Sequence, residues 1–177
     1  MAQRIILIGY MGAGKTTVGH ALSKLTGMPF YDLDWYIETR MHRKVPQLFA
    51  EWGEEKFRQM EHNMLHEVAE FDQVILSCGG GTPCFFDNMD YMNQQGETIY
   101  LKASPEVLYG HLRVARVERP LLKNMSPEEM QQHIRQQLAD REPFYSKARY
   151  TVSVDQHTDF EHIKDTVAEI QRLLDLS

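Results

Sequence analysis

The chain is poor in the features that mark several large protein classes. Among 177 residues there are two cysteines, Cys78 and Cys84, six positions apart. Two such thiols make neither a disulfide framework nor a zinc site, and they fit reduced thiols in a cytoplasm. Long apolar runs are missing: Ile5–Ile8 and Val74–Leu76 are the purest, far below the ~20 residues of a membrane span. The opening Met-Ala-Gln-Arg passes directly into a strand-like run, without the apolar region and cleavage site of a signal peptide. Positive charge is also in deficit, with 19 Lys and Arg against 25 Asp and Glu and a net charge of −6. That balance argues against a general nucleic-acid or acidic-membrane binder. Internal repeats, low-complexity stretches and domain linkers are absent from the sequence. The expectation is a cytoplasmic single domain, 1–177, acting as a monomer with neither nucleic acid nor membrane as partner.

With 42% hydrophobic and 25% charged residues, the composition is that of a globular protein. A chain of this length buries roughly 70% of the surface its unfolded form exposes. Short apolar runs alternate with helical stretches. Strands are expected at Ile5–Ile8, Pro29–Leu33, Val74–Cys78, Thr98–Lys102 and Tyr150–Val154. Between the first two, Val18, Ala21, Leu22 and Leu25 recur at helical spacing up to Gly27, a C-terminal cap. Asp34–His42 and Pro46–Trp52 read as short helices and Glu54–Glu70 as a longer one, with Phe57, Met60, Met64 and Val68 on one face. Phe86–Gln94 reads as helical, and Ser104-Pro105 opens a helix to about Val114. Ser126 with Glu129 and Thr158 with Glu161 are capping boxes opening two more. Five strands separated by helices imply a parallel α/β sheet with right-handed crossovers; the order of the strands does not follow.

Gly9-Tyr10-Met11-Gly12-Ala13-Gly14-Lys15-Thr16 fits G-x-x-x-x-G-K-[ST] at every fixed position. An apolar strand precedes it and an amphipathic helix follows. Such a loop turns successive N–H groups inward to cradle phosphates, and the helix N-terminus adds partial positive charge. Lys15 is expected to reach the β- and γ-phosphates, and Thr16 to offer its hydroxyl to Mg²⁺. The acceptor is not specified by this motif. The guanine-reading N-K-x-D is missing, and the third strand ends in Ser77-Cys78-Gly79 rather than an aspartate. The acidic candidates are Asp32 and Asp34 at the end of the second strand, where alternation aims both the same way. One suits Mg²⁺ and the other an acceptor hydroxyl, although Asp34 also suits the cap of the next helix. Arg58, three before Glu61, Arg119 and Arg141 each read singly as solvated charges.

Taken together, these pieces resemble the shikimate kinase family over nearly the whole chain. The match consists of the phosphate loop through Thr17, Asp32-Leu33-Asp34, the stretch from Gly53 to Glu61 with Phe57-Arg58, Ser77 to Gly81, Arg119-Pro120-Leu121-Leu122, and Arg141-Glu142-Pro143-Phe144-Tyr145. The resemblance implies a three-layer α/β sandwich of the P-loop, nucleoside-monophosphate-kinase-like type, with a mobile lid at about 115–126. It implies transfer of the γ-phosphoryl of ATP to the 3-hydroxyl of shikimate. Lys15, Asp34 and Arg119 would be catalytic. Gly12, Ala13, Gly14, Lys15, Thr16, Thr17, Arg113 and Arg119 would hold ATP, with Arg113 stacking on adenine and 154–157 passing nearby. Asp34, Arg58, Gly80 and Arg141 would hold shikimate, Phe49 and Phe57 lining its pocket. Thr16 and Asp32 would serve Mg²⁺. The physics is compatible: a planar carboxylate favours the guanidinium fork, and a lid would exclude competing water.

Alternatives are a gluconate-type kinase on the same loop, a nucleoside monophosphate kinase, and a non-catalytic nucleotide-gated binding module. His62 and His66 stand at i, i+4, a metal-ligand spacing, but Asn63 breaks H-E-x-x-H; they read as surface or packing residues. Trp35 and Trp52 border the acceptor pocket or pack. The acid is global in this reading, while Lys15, Arg58, Arg119 and Arg141 should meet in one cleft.

Overall fold

The computed structural model describes residues 3–115, 122–155 and 160–176, with the side chains of Phe160 and Glu161 left aside. The elements run β1 (Gln3–Ile8), α1 (Lys15–Thr26), β2 (Phe30–Asp32), α2 (Leu33–Met41), α3 (Val45–Val68), β3 (Gln73–Ser77), a 3₁₀ turn (Thr82–Cys84), α4 (Asn88–Gln95), β4 (Glu97–Lys102), α5 (Pro105–Val114), α6 (Pro127–Tyr145), β5 (Tyr150–Ser153) and α7 (Phe160–Leu174). The five strands form one sheet in the order β2-β3-β1-β4-β5, and every neighbouring pair is parallel. Central β1 is flanked on both sides, which is why Ile5, Ile6, Leu7 and Ile8 have no polar alternation and are fully buried. Helix α1 packs on β1, β2 and β3 and against α7, whereas α5 pairs with α6. The fold is the expected α/β arrangement. Among the described residues, no helix is long and apolar enough to cross a membrane.

Local signals explain most boundaries. Gly27 ends α1 in the left-handed region, and Ser126 with Glu129 makes a complete capping box on α6. The Thr158–Glu161 box lies outside the described residues. The expected pair of helices before β3 is one continuous element interrupted at Gly53, whose φ of 77° and ψ of 170° are non-helical. The break thus falls between Trp52 and Glu54, as the sequence indicates. The helix expected from Phe86 starts at Asn88, because Phe86 has a positive φ of 50°.

One correction bears on the site. The strand β2 ends at Asp32, two residues earlier than alternation through Asp34 requires. Asp32, not Asp34, caps α2: its side chain accepts from the Trp35 amide at 3.1 Å. Asp34 sits in the first helical turn, so the two carboxylates share a locality through a strand-to-helix corner rather than through one strand face.

Candidate active site

Parallel strands leave a crevice beyond their carboxyl ends, and β1, β2 and β3 all end there. The loop after β1 turns through Gly12 (φ 84°) and Gly14 (φ 92°), both left-handed, before α1 begins at Lys15. A cleft of about 410 Å³ opens over it, lined by 11–17 and by Asp32, Asp34, Gly80 and His111, among others. Lys15 folds along the loop, its Nζ donating to the carbonyls of Gly9 (2.7 Å) and Tyr10 (3.0 Å). The Thr16 hydroxyl donates to Asp32 Oδ2 at 3.4 Å. On the opposite wall His111 from α5 bonds the Gly12 carbonyl at 2.8 Å.

The second half of the site forms around the three glycines after β3. An added Cβ at Gly80 would stand 2.8 Å from Arg141 Nη1, one at Gly81 would stand 2.6 Å from Arg58 Nη2, and one at Gly79 would stand 3.3 Å from Asp34 Oδ1. Three functional side chains thus close on this backbone: a methyl at Gly80 or Gly81 would displace a guanidinium, and one at Gly79 would be a tight fit. Arg58 is only 12% exposed and pairs with Glu61 at 3.0 Å. Its guanidinium carbon lies 4.3 Å from the Phe85 ring centroid and 5.5 Å from those of Phe49 and Phe57. The reading of Arg58 as a solvated surface charge is therefore corrected: an aromatic wall and a buried carboxylate hold it, and its i,i+3 pair with Glu61 belongs to the pocket. Glu61, 1% exposed, also accepts from the Thr82 hydroxyl at 3.0 Å. Arg141 lies over Tyr10 at 5.4 Å, and Tyr145, a turn further along α6, donates to the Gly80 carbonyl. Arg141 Nη1 is buried without a hydrogen-bond partner among the described residues, and so is Arg58 Nε, which lies 3.6 Å from the Glu54 carboxylate. Such donors suit an incoming anion.

The charges respond to this crowding. Burial, with Asp32 and Glu61 close by, pushes the Asp34 carboxyl up to about 6, and Lys15 opposes the shift. Burial likewise raises Glu61, against the pull of Arg58, Thr82 and Arg141.

Gly12, Ala13, Gly14, Lys15, Thr16, Thr17, Asp32, Asp34 and Gly80 therefore line one cleft, and Arg58 and Arg141 join it at the glycine turn. Arg113 is exposed on α5 and does not line the cleft; His111, two residues before it, does. Arg119 and half of the expected lid, 116–121, lie outside the described residues, as do Gln156 and His157. Phe57 is buried beneath Arg58, Trp52 packs against the core, and Trp35 is exposed. Sequence reasoning missed His111, Thr82 and Phe85. Thr82 had a signal, since it directly follows the glycine triplet, and Phe85 lies four residues beyond it; His111 had none.

A family model described as shikimate kinase matches residues 11–172. The chain is 53% identical over 171 residues to a shikimate kinase of Phocaeicola vulgatus, covering 97% of this chain and 98% of that protein. The crystal structure of a shikimate kinase from Bacteroides thetaiotaomicron superposes with a TM-score of 0.95 at 49% identity, covering 98% of this chain and 99% of that one. A shikimate kinase from Acinetobacter baumannii in complex with shikimate superposes with a TM-score of 0.86 at 33% identity, covering 99% and 94%.

Proposed function

The chain belongs to the shikimate kinase family, and from that premise we propose how its own residues move the γ-phosphoryl of ATP to the 3-hydroxyl of shikimate. The single observation that carries the assignment of roles is the convergence of Arg58, Arg141 and Asp34 on the glycine turn beside the phosphate loop. Two guanidinium groups with spare buried donors receive the shikimate carboxylate, and Gly80 contributes backbone contact. Asp34 then meets the ring hydroxyls on the phosphate side of the pocket.

In the reaction the 3-hydroxyl oxygen attacks the γ-phosphorus and the bond to the β,γ-bridging oxygen breaks, so ADP leaves. The hydroxyl proton passes to Asp34. A carboxyl held near 6 is a better acceptor than an ordinary aspartate and still ionised at neutral pH. Lys15, released from the Gly9 and Tyr10 carbonyls, neutralises the transferring group together with Arg119. Gly12, Ala13, Gly14 and Thr17 cradle the phosphates. Thr16 and Asp32 offer a hydroxyl and a carboxylate 3.4 Å apart, an all-oxygen set that suits Mg²⁺. Bound there, Mg²⁺ would supply charge neutralisation to the phosphate oxygens.

The test is Arg58→Lys. A point charge cannot reproduce the fork or its aromatic seat. The expected result is a KM for shikimate raised on the order of 10-fold or more, the cost of about 1.4 kcal/mol of bidentate binding, with the KM for ATP within twofold. An equal rise in both would place Arg58 outside the acceptor site.

A further inference from the structure

One and two turns along α3 from Arg58, on the same stripe of the helix, three potential metal ligands meet. The donor atoms of His62, His66 and Asp87 all lie within 4.8 Å of one another. The histidines are one helical turn apart, their ring centroids separated by 4.3 Å. Asp87 comes from the turn that precedes α4, so the group joins two elements. We propose that His62, His66 and Asp87 form a binding site for a divalent transition-metal ion of the zinc class, separate from the nucleotide cleft.

Two further observations favour a ligand here over simple packing. The first concerns the tautomer of His62. The Asn88 side-chain nitrogen donates to the Thr82 carbonyl at 2.9 Å, which turns its Oδ1 toward His62 Nδ1 at 2.6 Å. An amide oxygen only accepts, so Nδ1 must carry the proton. The other ring nitrogen, Nε2, is then left with its lone pair available. Metal-binding histidines are oriented in this way, by donating the far N–H to an oxygen behind them. The second concerns Asp87. It occupies the N-cap of α4, where an aspartate ordinarily accepts from the helix amides, yet it makes no side-chain cap bond. Its exposed carboxylate therefore stays available to the histidines. His66 is itself fixed, its ring stacked on Tyr91 at 3.6 Å with Nε2 buried and without a hydrogen-bond partner among the described residues.

Two imidazoles and one carboxylate are the donors that zinc, cobalt and nickel prefer, unlike the all-oxygen set offered to Mg²⁺. Donor atoms around a tetrahedral zinc lie roughly 3.4 Å apart at usual bond lengths, so the three groups, now within 4.8 Å of one another, draw slightly together on the ion. Water fills the fourth position.

The experiment titrates the metal-stripped full chain with Co²⁺ in excess Mg²⁺, which occupies the phosphate-loop oxygens. The readout is visible d–d absorption and bound metal per chain. The expected result is one cobalt per chain with tetrahedral bands, displaced by Zn²⁺, and affinity reduced on the order of 100-fold in His66→Gln and 10-fold in Asp87→Asn, at least the roughly 10–100-fold lost when only the outer-shell partners of metal ligands are removed. Shikimate-dependent turnover with Mg²⁺ and ATP serves as the check that each variant is folded; Asp87 is exposed, so its variant supplies the test if His66→Gln does not fold. Absence of d–d bands in the unaltered chain, or equal cobalt affinity in the chain and its folded variants, overturns the proposal.

Discussion

Asp34→Asn should make the protein more stable while it stops turning over, and the size of the gain follows from the site. The carboxyl is raised from 3.8 to about 6 by burial and by Asp32 and Glu61. That shift of a little over two units, at about 1.4 kcal/mol per unit, makes the ionised form cost about 3 kcal/mol of folding stability. The sign follows from proton counting. Between pH 3.8 and about 6 the folded chain holds a proton on Asp34 that the unfolded chain has released. Stability therefore falls as pH rises through this window and is level above it. Asparagine is neutral throughout and escapes the loss. Urea unfolding of both proteins at a series of pH values should give coincident curves below pH ~4, a gap that opens toward pH ~6, and a constant gap of about 3 kcal/mol beyond. For a chain of this length that is roughly 6–12 °C in Tm. Turnover should vanish in the variant while ATP binding stays nearly intact. A variant no more stable than the parent, or a gap independent of pH, would refute the claim that the site holds Asp34 in a strained, ionised state for use as a base. Loss of ATP binding would make Asp34 structural.

The same carboxyl should appear in catalysis: kcat/KM for shikimate should fall about tenfold per pH unit below pH ~6, and a flat profile to pH 5 would remove Asp34 as the base. Gly80→Ala places a methyl 2.8 Å from Arg141 Nη1; the guanidinium must move, so the KM for shikimate should rise several-fold with ATP binding little changed, measured by initial rates in each substrate.

The sites that the sequence reveals are those made by contiguous residues. The phosphate loop is one, because its cradle is a local backbone shape that eight consecutive residues prescribe. The helix break at Gly53 and the cap at Ser126 are others. What eludes sequence reading is made by distant residues. Taken singly Arg58 reads as a surface charge, and only the family resemblance places it with Phe49 at the acceptor; what no local pattern reveals is Phe85, which comes from the turn after the glycines to complete its wall. Asp32 and Asp34 read as partners on one strand because alternation says nothing of where the strand stops; the bond from the Trp35 amide to Asp32 ends it. The strand order β2-β3-β1-β4-β5 depends on crossovers that no local pattern encodes. The acidic surface with a local basic cleft is partly visible here: Lys15, Arg58 and Arg141 gather about one loop and one glycine turn, while the chain as a whole carries −6.

The most direct test of the account is ADP release, followed in a coupled assay with shikimate, gluconate and nucleoside monophosphates offered side by side. The account predicts ATP- and Mg²⁺-dependent release with shikimate, at a rate far above that with the other acceptors. No shikimate-dependent release, or equal release with gluconate, would contradict it.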